Sequence, residues 1–377
     1  MAVPKIRLKG FDADWEKSNF GNFGSVAMCK RIFKDQTSPI GDIPFFKIGT
    51  FGLKPDAYIT RELYDEYKSK YSFPSKGDIL ISAAGTIGRT IVYSGDDAYF
   101  QDSNIVWLNH NDQLNNAFLK YLYSIVNWAS LEGATIKRLY NSNILQTEIV
   151  IPEYTEQEAI SNYFQSLDSL IEATDKKIAT LKQTKQASLQ SMFPQEGETK
   201  PRVRFKGFTD EWECCKVKDI CKHEASNISQ NTLGINEGIY PIFGASGYIQ
   251  NVGFYHQSQE YIGVVKDGSG VGRLGLYPAF SSILGTMHYL LPQKNTNIAF
   301  VYNILQTKNL SSLVTGSSIP HIYFKDYAEY EVFVPSSEEQ KQIANYFSNL
   351  DKQISIQEQR LEKLKQIKSA CLKNMFV

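Results

Sequence analysis

Histidine is scarce in this chain. There are five in 377 residues (His110, His223, His256, His288 and His321), and none stands at the spacing of a known catalytic triad from a nucleophile and a carboxylate. No Gly-x4-Gly-Lys-Ser/Thr loop is present to cradle phosphates. No Asn-Pro-Pro or Asp-Pro-Pro tetrapeptide suggests an adenine amino-methyltransferase. Cysteine is sparse too: Cys29, Cys214, Cys215, Cys221 and Cys371 are odd in number and irregularly spaced, as expected of reduced cytosolic thiols and not of a disulfide framework. No stretch approaches the roughly 18 apolar residues of a membrane span, and no secretory signal opens the chain, so a cytoplasmic protein without membrane contact is expected. Net charge is also missing, because 40 Lys and Arg balance 40 Asp and Glu. That argues against indiscriminate binding to a polyelectrolyte, although charge can be local or supplied by a partner subunit.

A few patterns imitate chemistry. Gly268, Gly270 and Gly272 have dinucleotide-like spacing, but the run from Leu274 to Tyr277 followed by Pro278 reads as a strand where a helix is required. Pro55-Asp56 followed by Glu66-Tyr67-Lys68 has the outline of a metal nuclease, yet residues 62–68 read as a solvated helix. Cys221 and His223 lack a second pair at ligand spacing. No catalytic residue, metal ligand or bound cofactor is therefore expected.

What is present is a duplication. Pro4-Lys5-Ile6-Arg7-Leu8-Lys9-Gly10-Phe11 returns as Pro201-Arg202-Val203-Arg204-Phe205-Lys206-Gly207-Phe208, each followed by an acidic stretch and a Trp (Trp15, Trp212). Lys5, Arg7 and Lys9, like Arg202, Arg204 and Lys206, alternate with apolar residues and are expected on one face of a half-buried strand. A solvated edge is the plain reading of that face, and phosphate or partner docking the alternative. A longer match lies at an offset of 183: Ile151-Pro152, Glu156-Gln157, Ile160, Tyr163-Phe164, Leu167-Asp168 and Met192-Phe193 recur as Val334-Pro335, Glu339-Gln340, Ile343, Tyr346-Phe347, Leu350-Asp351 and Met375-Phe376. Two related surfaces suit a ligand with its own approximate twofold symmetry, such as duplex DNA.

Each half reads as a globular segment followed by a helix. Residues 1–153 carry strand-like runs at 78–82, 90–93 and 104–108 and a helical run at 116–130, and residues 201–335 repeat the style in a shorter body. In the first helix Ile160, Phe164, Leu167, Ile171, Thr174, Ile178, Leu181, Lys185, Ser188 and Met192 step by fours and threes, the heptad seam of a coiled coil. Ile343, Phe347, Leu350, Ile354, Gln357, Leu361, Leu364, Lys368, Cys371 and Met375 follow the same rhythm, polar interruptions included. Thr155 with Glu158 and Ser336 with Glu339 read as capping boxes. If the seams pair, connectivity makes the helices antiparallel. The expected architecture is mixed α/β: two globular heads (1–153 and 201–335), two long coiled-coil helices (154–193 and 336–377) and a linker (194–200), a dumbbell whose rod is about 57 Å long.

Together these residues resemble the specificity subunit of a type I restriction-modification enzyme. The resemblance covers nearly the whole chain. It rests most firmly on Ile151-Pro152 and Val334-Pro335 leading through Glu-Gln into the helices that end at Met-Phe. Further matches are Gly316-Ser317-Ser318-Ile319-Pro320-His321, Lys76-Gly77-Asp78-Ile79-Leu80-Ile81-Ser82 with Gly85-Thr86-Ile87-Gly88-Arg89, and Tyr240-Pro241-Ile242-Phe243-Gly244-Ala245-Ser246-Gly247. The first half departs at the Gly-Ser-x-Ile-Pro-His position, reading Gly133-Ala134-Thr135-Ile136-Lys137-Arg138. The resemblance implies a subunit without catalytic power in which each target-recognition domain reads half of a split double-stranded DNA target. It also implies two methyltransferase subunits and motor-nuclease restriction subunits as partners, with S-adenosylmethionine, ATP and magnesium bound on those partners.

Base reading needs donors and acceptors on firm loops. In the first head the candidates are Lys47, Thr50, Ser82, Thr86, Arg89, Gln101, Ser103 and Asn104, with Gly85 and Gly88 letting backbone approach phosphates. In the second they are Ser246, Tyr248, Lys266, Ser269, Arg273 and His321. Two other classes compete with this reading: a coiled-coil scaffold whose heads bind other proteins, and an autonomous DNA-modifying enzyme, which the missing motifs disfavour.

Overall fold

The computed structural model describes residues 3–128, 138–236, 238–293, 295–316 and 320–377. The chain divides into two compact units, residues 1–174 with 360–377, and residues 175–359. Each unit therefore holds one head, one end of the first long helix and one end of the second.

The first head contains β1 (Glu16–Asn19), β2 (Gly24–Ala27), β3 (Ile43–Phe46), β4 (Tyr58–Ile59), α1 (Arg61–Lys70), β5 (Ile79–Ser82), β6 (Thr90–Val92), β7 (Tyr99–Phe100), β8 (Ile105–His110), α2 (Asn116–Leu122), α3 (Asn141–Gln146) and β9 (Glu148–Ile151). The long helix α4 (Tyr154–Met192) follows. The second head contains β10 (Glu213–Lys216), α5 (Val217–Ile220), β11 (Cys221–Ala225), β12 (Tyr240–Gly244), β13 (Gly247–Val252), β14 (Tyr261–Val265), β15 (Leu274–Tyr277), β16 (Ser282–Ile283), β17 (Met287–Pro292), α6 (Ile298–Gln306), α7 (Phe324–Tyr327) and β18 (Glu331–Val334). The second long helix, α8, covers Ser337–Asn374.

The two heads repeat one plan. Each has a four-stranded sheet (β2-β8-β5-β6, β11-β17-β14-β15), a three-stranded sheet (β4-β3-β7, β13-β12-β16) and an antiparallel pair (β1 with β9, β10 with β18). Central strands bury both faces, which is why they read as continuous apolar runs. In β5 and β8, Ile79, Ile81, Val106 and Leu108 face the core beneath the helices. Leu80, Ile105 and Trp107 alternate onto the opposite core, against the three-stranded sheet. In β14 and β17, Ile262, Val264 and Leu290 face one core, and Tyr261, Val265, Met287, Tyr289 and Leu291 face the other.

The Glu-Gln pair at the start of each long helix ties that helix to its head. Glu156 receives a two-pronged ion pair from Arg7 (2.7 and 2.8 Å) and a hydrogen bond from the Trp15 indole (3.2 Å). Glu339 receives the same pair from Arg204 (2.6 and 2.8 Å). Gln157 accepts the Asn115 backbone N–H at 2.9 Å and donates to the Pro152 carbonyl at 3.0 Å. Gln340 does the same with Asn297 and Pro335, at 2.9 Å each. Asn115 and Asn297 in turn cap α2 and α6 by accepting the N–H of Phe118 and Phe300.

Three sequence expectations are corrected here. The basic triplets are not strands: Ile6 and Val203 are exposed, while Arg7 and Arg204 turn inward to buried carboxylates. Thr155 does not cap α4, which starts one residue earlier; the Glu153 carbonyl accepts the N–H of Glu156 and Gln157, and Glu153, not Thr155, is the counterpart of Ser336 at the offset of 183. Ser336 does accept the Glu339 N–H, at 3.5 Å. The helical run expected over 116–130 ends at Leu122 and continues as turns; Ala129 and Ser130 lie outside the described residues.

Within each unit the helix ends run antiparallel. In the first, Tyr163 meets Cys371 (3.3 Å), Asp168 binds Lys368 (2.5 Å), and the Phe164 and Phe376 rings lie 5.9 Å apart. In the second, Ser188 meets Tyr346 (2.8 Å), Lys185 binds Asp351 (2.6 Å), and Phe193 lies 5.8 Å from Phe347. These are the same three contacts shifted by 183. The lysines that interrupt each seam thus answer the aspartates that follow the seam leucines Leu167 and Leu350. Every seam position is buried or half-buried: Ile160, Phe164, Leu167, Ile171, Ile178 and Leu181 on α4, and Ile343, Phe347, Leu350, Ile354, Leu361 and Leu364 on α8, with their polar interruptions.

Candidate nucleic-acid interface

The two heads present one hairpin in common. In the first, β5 turns into β6: the Ser82 N–H donates to the Arg89 carbonyl (2.9 Å) and the Gly88 N–H to the Ser82 carbonyl (3.0 Å). In the second, β14 turns into β15: the Val265 N–H donates to the Arg273 carbonyl (2.9 Å) and the Gly272 N–H to the Val265 carbonyl (2.8 Å). Arg89 and Arg273 are therefore the same ladder residue, each directly after a turn glycine and each exposed. Gly88 has φ +77°, the left-handed region that a side chain rarely adopts, and a Cβ there would lie 2.8 Å from the Trp128 indole nitrogen.

In the first head the remaining candidates gather around this hairpin on adjoining loops. Ile48–Thr50 forms a short 3-10 turn in which Thr50 accepts the Lys47 N–H (3.1 Å), and Gln101 accepts the Ile48 N–H (2.9 Å). The Asn104 carbonyl accepts the Ala83 N–H (2.8 Å). Ser103 has a positive φ of 53°, and its carbonyl accepts from Arg138 at 3.0 Å. The Arg89 guanidinium rests on the loop after Thr50, close enough that a Cβ on Gly52 would lie 3.0 Å from it. Lys47 pairs with exposed Asp56 at 2.8 Å. Thr86 projects at the tip. Ser82 differs from the others: it is 1% exposed, accepts the Arg89 N–H (2.9 Å) and donates to the Thr86 carbonyl, so it builds the turn.

In the second head Ser246, Lys266, Ser269 and Arg273 line a single open cleft of about 900 Å³. Arg273 donates to the Ala245 carbonyl at 3.1 Å and folds over Gly270, where a Cβ would lie 2.4 Å from the guanidinium. Tyr248 and His321 stand outside the cleft lining. Tyr248 is exposed on β13, packs against Phe243 and donates to Asn251 (3.2 Å). His321 is half-buried, pairs through Nδ1 with the Asp267 carboxylate and packs on Tyr323. Ser317, Ser318 and Ile319, and residues 133–137 of the corresponding position in the first half, lie outside the described residues.

The patterns that imitate chemistry resolve structurally. The glycines at 268, 270 and 272 lead into strand β15, not a helix. Residues 62–68 lie on α1, whose one buried side chain is Tyr64. Cys221 sits in the second core, where burial pushes its thiol up to about 12, and the His223 ring stacks on Phe324. Among the described residues no group of three or more His, Cys, Asp or Glu could hold a metal ion. No helix among them is long and apolar enough to cross a membrane.

Two features escaped the sequence. Asn227, Gln230 and Asn231, between β11 and β12, line the same cleft as Lys266 and Arg273. Nothing in their spacing marked them, because the contact depends on the β11–β17–β14 pairing. His288, 2% exposed on β17, hydrogen-bonds Tyr327 and lies 4.7 Å from the His223 ring. Burial, then the positive charge of His223, Lys266 and His321, pushes its imidazole down to about 3.

A duplicated α/β head, a shared arginine hairpin and two long seamed helices define the class: an internally duplicated α/β protein with a long helix after each head. The type I restriction modification DNA specificity domain matches the chain twice, over residues 12–183 and 209–366, and the chain belongs to that family. Over 151 residues, 40% of this chain and 39% of the relative, it is 55% identical to a Haemophilus influenzae protein that carries the name of a type I restriction enzyme specificity subunit. The matched segment thus spans well under half of that relative. Over 327 residues, 78% of this chain and 73% of the relative, it is 20% identical to the MjaVIII specificity subunit of Methanocaldococcus jannaschii. The fold is shared with the crystal structure of a type I restriction-modification S subunit from M. genitalium, at TM-score 0.70 and 18% identity over 100% of this chain and 99% of that one. A second solved structure, from work on complex assembly and conformational transition of the type I system, superposes at TM-score 0.55 and 13% identity over 98% and 99%.

Proposed function

We propose that this chain is the non-catalytic subunit that gives a type I restriction-modification enzyme its DNA specificity. Each head reads one half of a bipartite duplex target, and the paired helices set the unread gap between the halves. The chain docks two methyltransferase subunits for adenine methylation and, with motor-nuclease subunits, directs restriction in the cytoplasm. S-adenosylmethionine, ATP and magnesium belong to those partners. The observation that carries the reading is the shared hairpin: one exposed arginine after one turn glycine in each head, on a chain whose family model matches twice. An exposed Arg on a rigid ladder position can reach guanine O6 and N7 in the major groove. The differing loops around each hairpin suit two different half-sites. The zero net charge leaves phosphate attraction to local cations such as Lys266, and to the partners.

The test is methylome sequencing of a methylation-free host expressing the chain with its methyltransferase. A single split motif, methylated in both halves and absent when either gene is omitted, is expected. Methylation without a split motif, or undiminished without this chain, overturns the proposal.

A further inference from the structure

The cleft of the second head holds amide side chains that bond to no other described residue. Its walls contain Lys266 and Arg273 and, among the described residues, no carboxylate. The loop between β11 and β12 adds three exposed amides, Asn227, Gln230 and Asn231, none of which makes a side-chain hydrogen bond to another described residue. Other amides of this head are engaged. Gln250 donates to the Gly234 carbonyl, Gln257 to Glu224 and Asn303 to the Ala299 carbonyl, and Asn251 accepts from Tyr248. The loop's backbone is nonetheless fixed. The Gly285 N–H donates to the Ile228 carbonyl at 2.8 Å, buried Ser226 donates to the Ile283 carbonyl, and Gln230–Thr232 forms a 3-10 turn. The free amides are thus held by a rigid frame beside two cations.

The same loop in the first head is built differently. Between β2 and β3 it carries Lys30 over the Tyr71 ring, Arg31 paired with Asp102 at 2.8 Å, and Gln36 accepting the Phe33 N–H at 2.9 Å. Its one amide, Gln36, is already partnered. Unpartnered amides at this place are therefore particular to the second head.

An Asn or Gln side chain offers one donor and one acceptor side by side, which matches adenine N7 and N6 in the major groove; guanine presents two acceptors there and clashes with the donor–acceptor pair. Resting on the proposed function above, we infer that Asn227, Gln230 and Asn231 form the adenine-reading element of the second head, with Lys266 and Arg273 flanking it on phosphate or guanine. The half-site read by this head accordingly contains at least one A·T pair fixed by this loop, and exchanging the loop exchanges that base.

The experiment compares Asn227→Ala, Gln230→Ala and Asn231→Ala in the full chain, co-expressed with its methyltransferase, by methylome sequencing. Purified complexes are assayed in parallel on duplexes that differ from the host-derived motif by one base pair. Preference for adenine at one or more positions of a single half-site should fall roughly 5- to 150-fold in at least one variant. The other half-site should stay unchanged, which doubles as the control for folding. An unchanged motif in all three variants overturns the inference and leaves the proposed function standing. So does equal weakening on every duplex with a shallower salt dependence, which marks phosphate contacts. A variant that methylates nothing in the host is decided by the duplex series. Absence of any split motif with the wild-type chain counts against the proposed function itself.

Discussion

Arg89 and Arg273 occupy one ladder position in two heads, so their substitutions should be separable. Arg89→Ala is expected to cost about 1–3 kcal/mol of discrimination at one half-site and Arg273→Ala the same at the other. Binding of the assembled methyltransferase to duplexes altered in one half-site at a time checks this; uniform weakening on every sequence by both variants would make them phosphate contacts. His288 gives a pH signature. Its imidazole titrates near about 6.5 when unfolded and is pushed down to about 3 by burial and neighbouring positive charge. As pH falls the unfolded chain takes up this proton first, so the stability held by neutral His288 is complete above about 6.5 and is lost progressively towards 3. His288→Gln should lower the urea midpoint at pH 7 yet reduce its drop between pH 7 and 5. Equal drops in both proteins would show that His288 does not set the acid sensitivity. These sites were unequally legible. A glycine-punctuated hairpin with a following Arg is a local pattern, readable because turn and ladder are adjacent in sequence. Ser82 looked like its neighbours, and its burial follows from its pairing with Ile105 of β8 and from the turn its hydroxyl closes. The amides at 227–231 reach the cleft only through strands about 35 and 60 residues further on, which no local pattern encodes.

The long helices were the most legible elements, because a seam repeating every seven residues names its own buried face. What periodicity could not assign was the reason for its interruptions. Lys185 and Lys368 look like defects until antiparallel pairing sets them against Asp351 and Asp168. Burial raises the Asp168 carboxyl, but hydrogen bonds from Lys368, Lys120 and Tyr121 outweigh it and hold it below the usual carboxylate range. The helix starts were half legible: Glu-Gln announced a start, but the reach back to Arg7 and Arg204 crosses an entire head. Ile178 probes the pairing best, because it is 6% exposed on the seam and belongs to neither head core. Ile178→Asp should destabilise the pairing by about 3 kcal/mol or more, through lost apolar burial and an unpaired carboxylate. Methylation of the split motif should then fall sharply while the near-UV dichroism of the aromatic-rich heads is kept. Normal methylation with normal helix content would show that the seam does not carry the pairing.

At the scale of the whole molecule, one plan is used twice, and the contacts of each long helix recur at an offset of 183. The proposed function needs those helices to act as a ruler between two readers, and a matched insertion tests this most directly. Seven residues inserted after Ile178 and seven after Leu361 restore the facing of both seams. The insertion adds about 10 Å along the helices, or up to roughly three base pairs of DNA. DNA also rotates over that distance, so the heads must follow or one half-site is lost. Methylome sequencing of the insertion variant with its methyltransferase should return unchanged half-sites with a gap longer by about one to three base pairs, or no methylation at all. Efficient methylation of the original motif at its original gap would contradict the account.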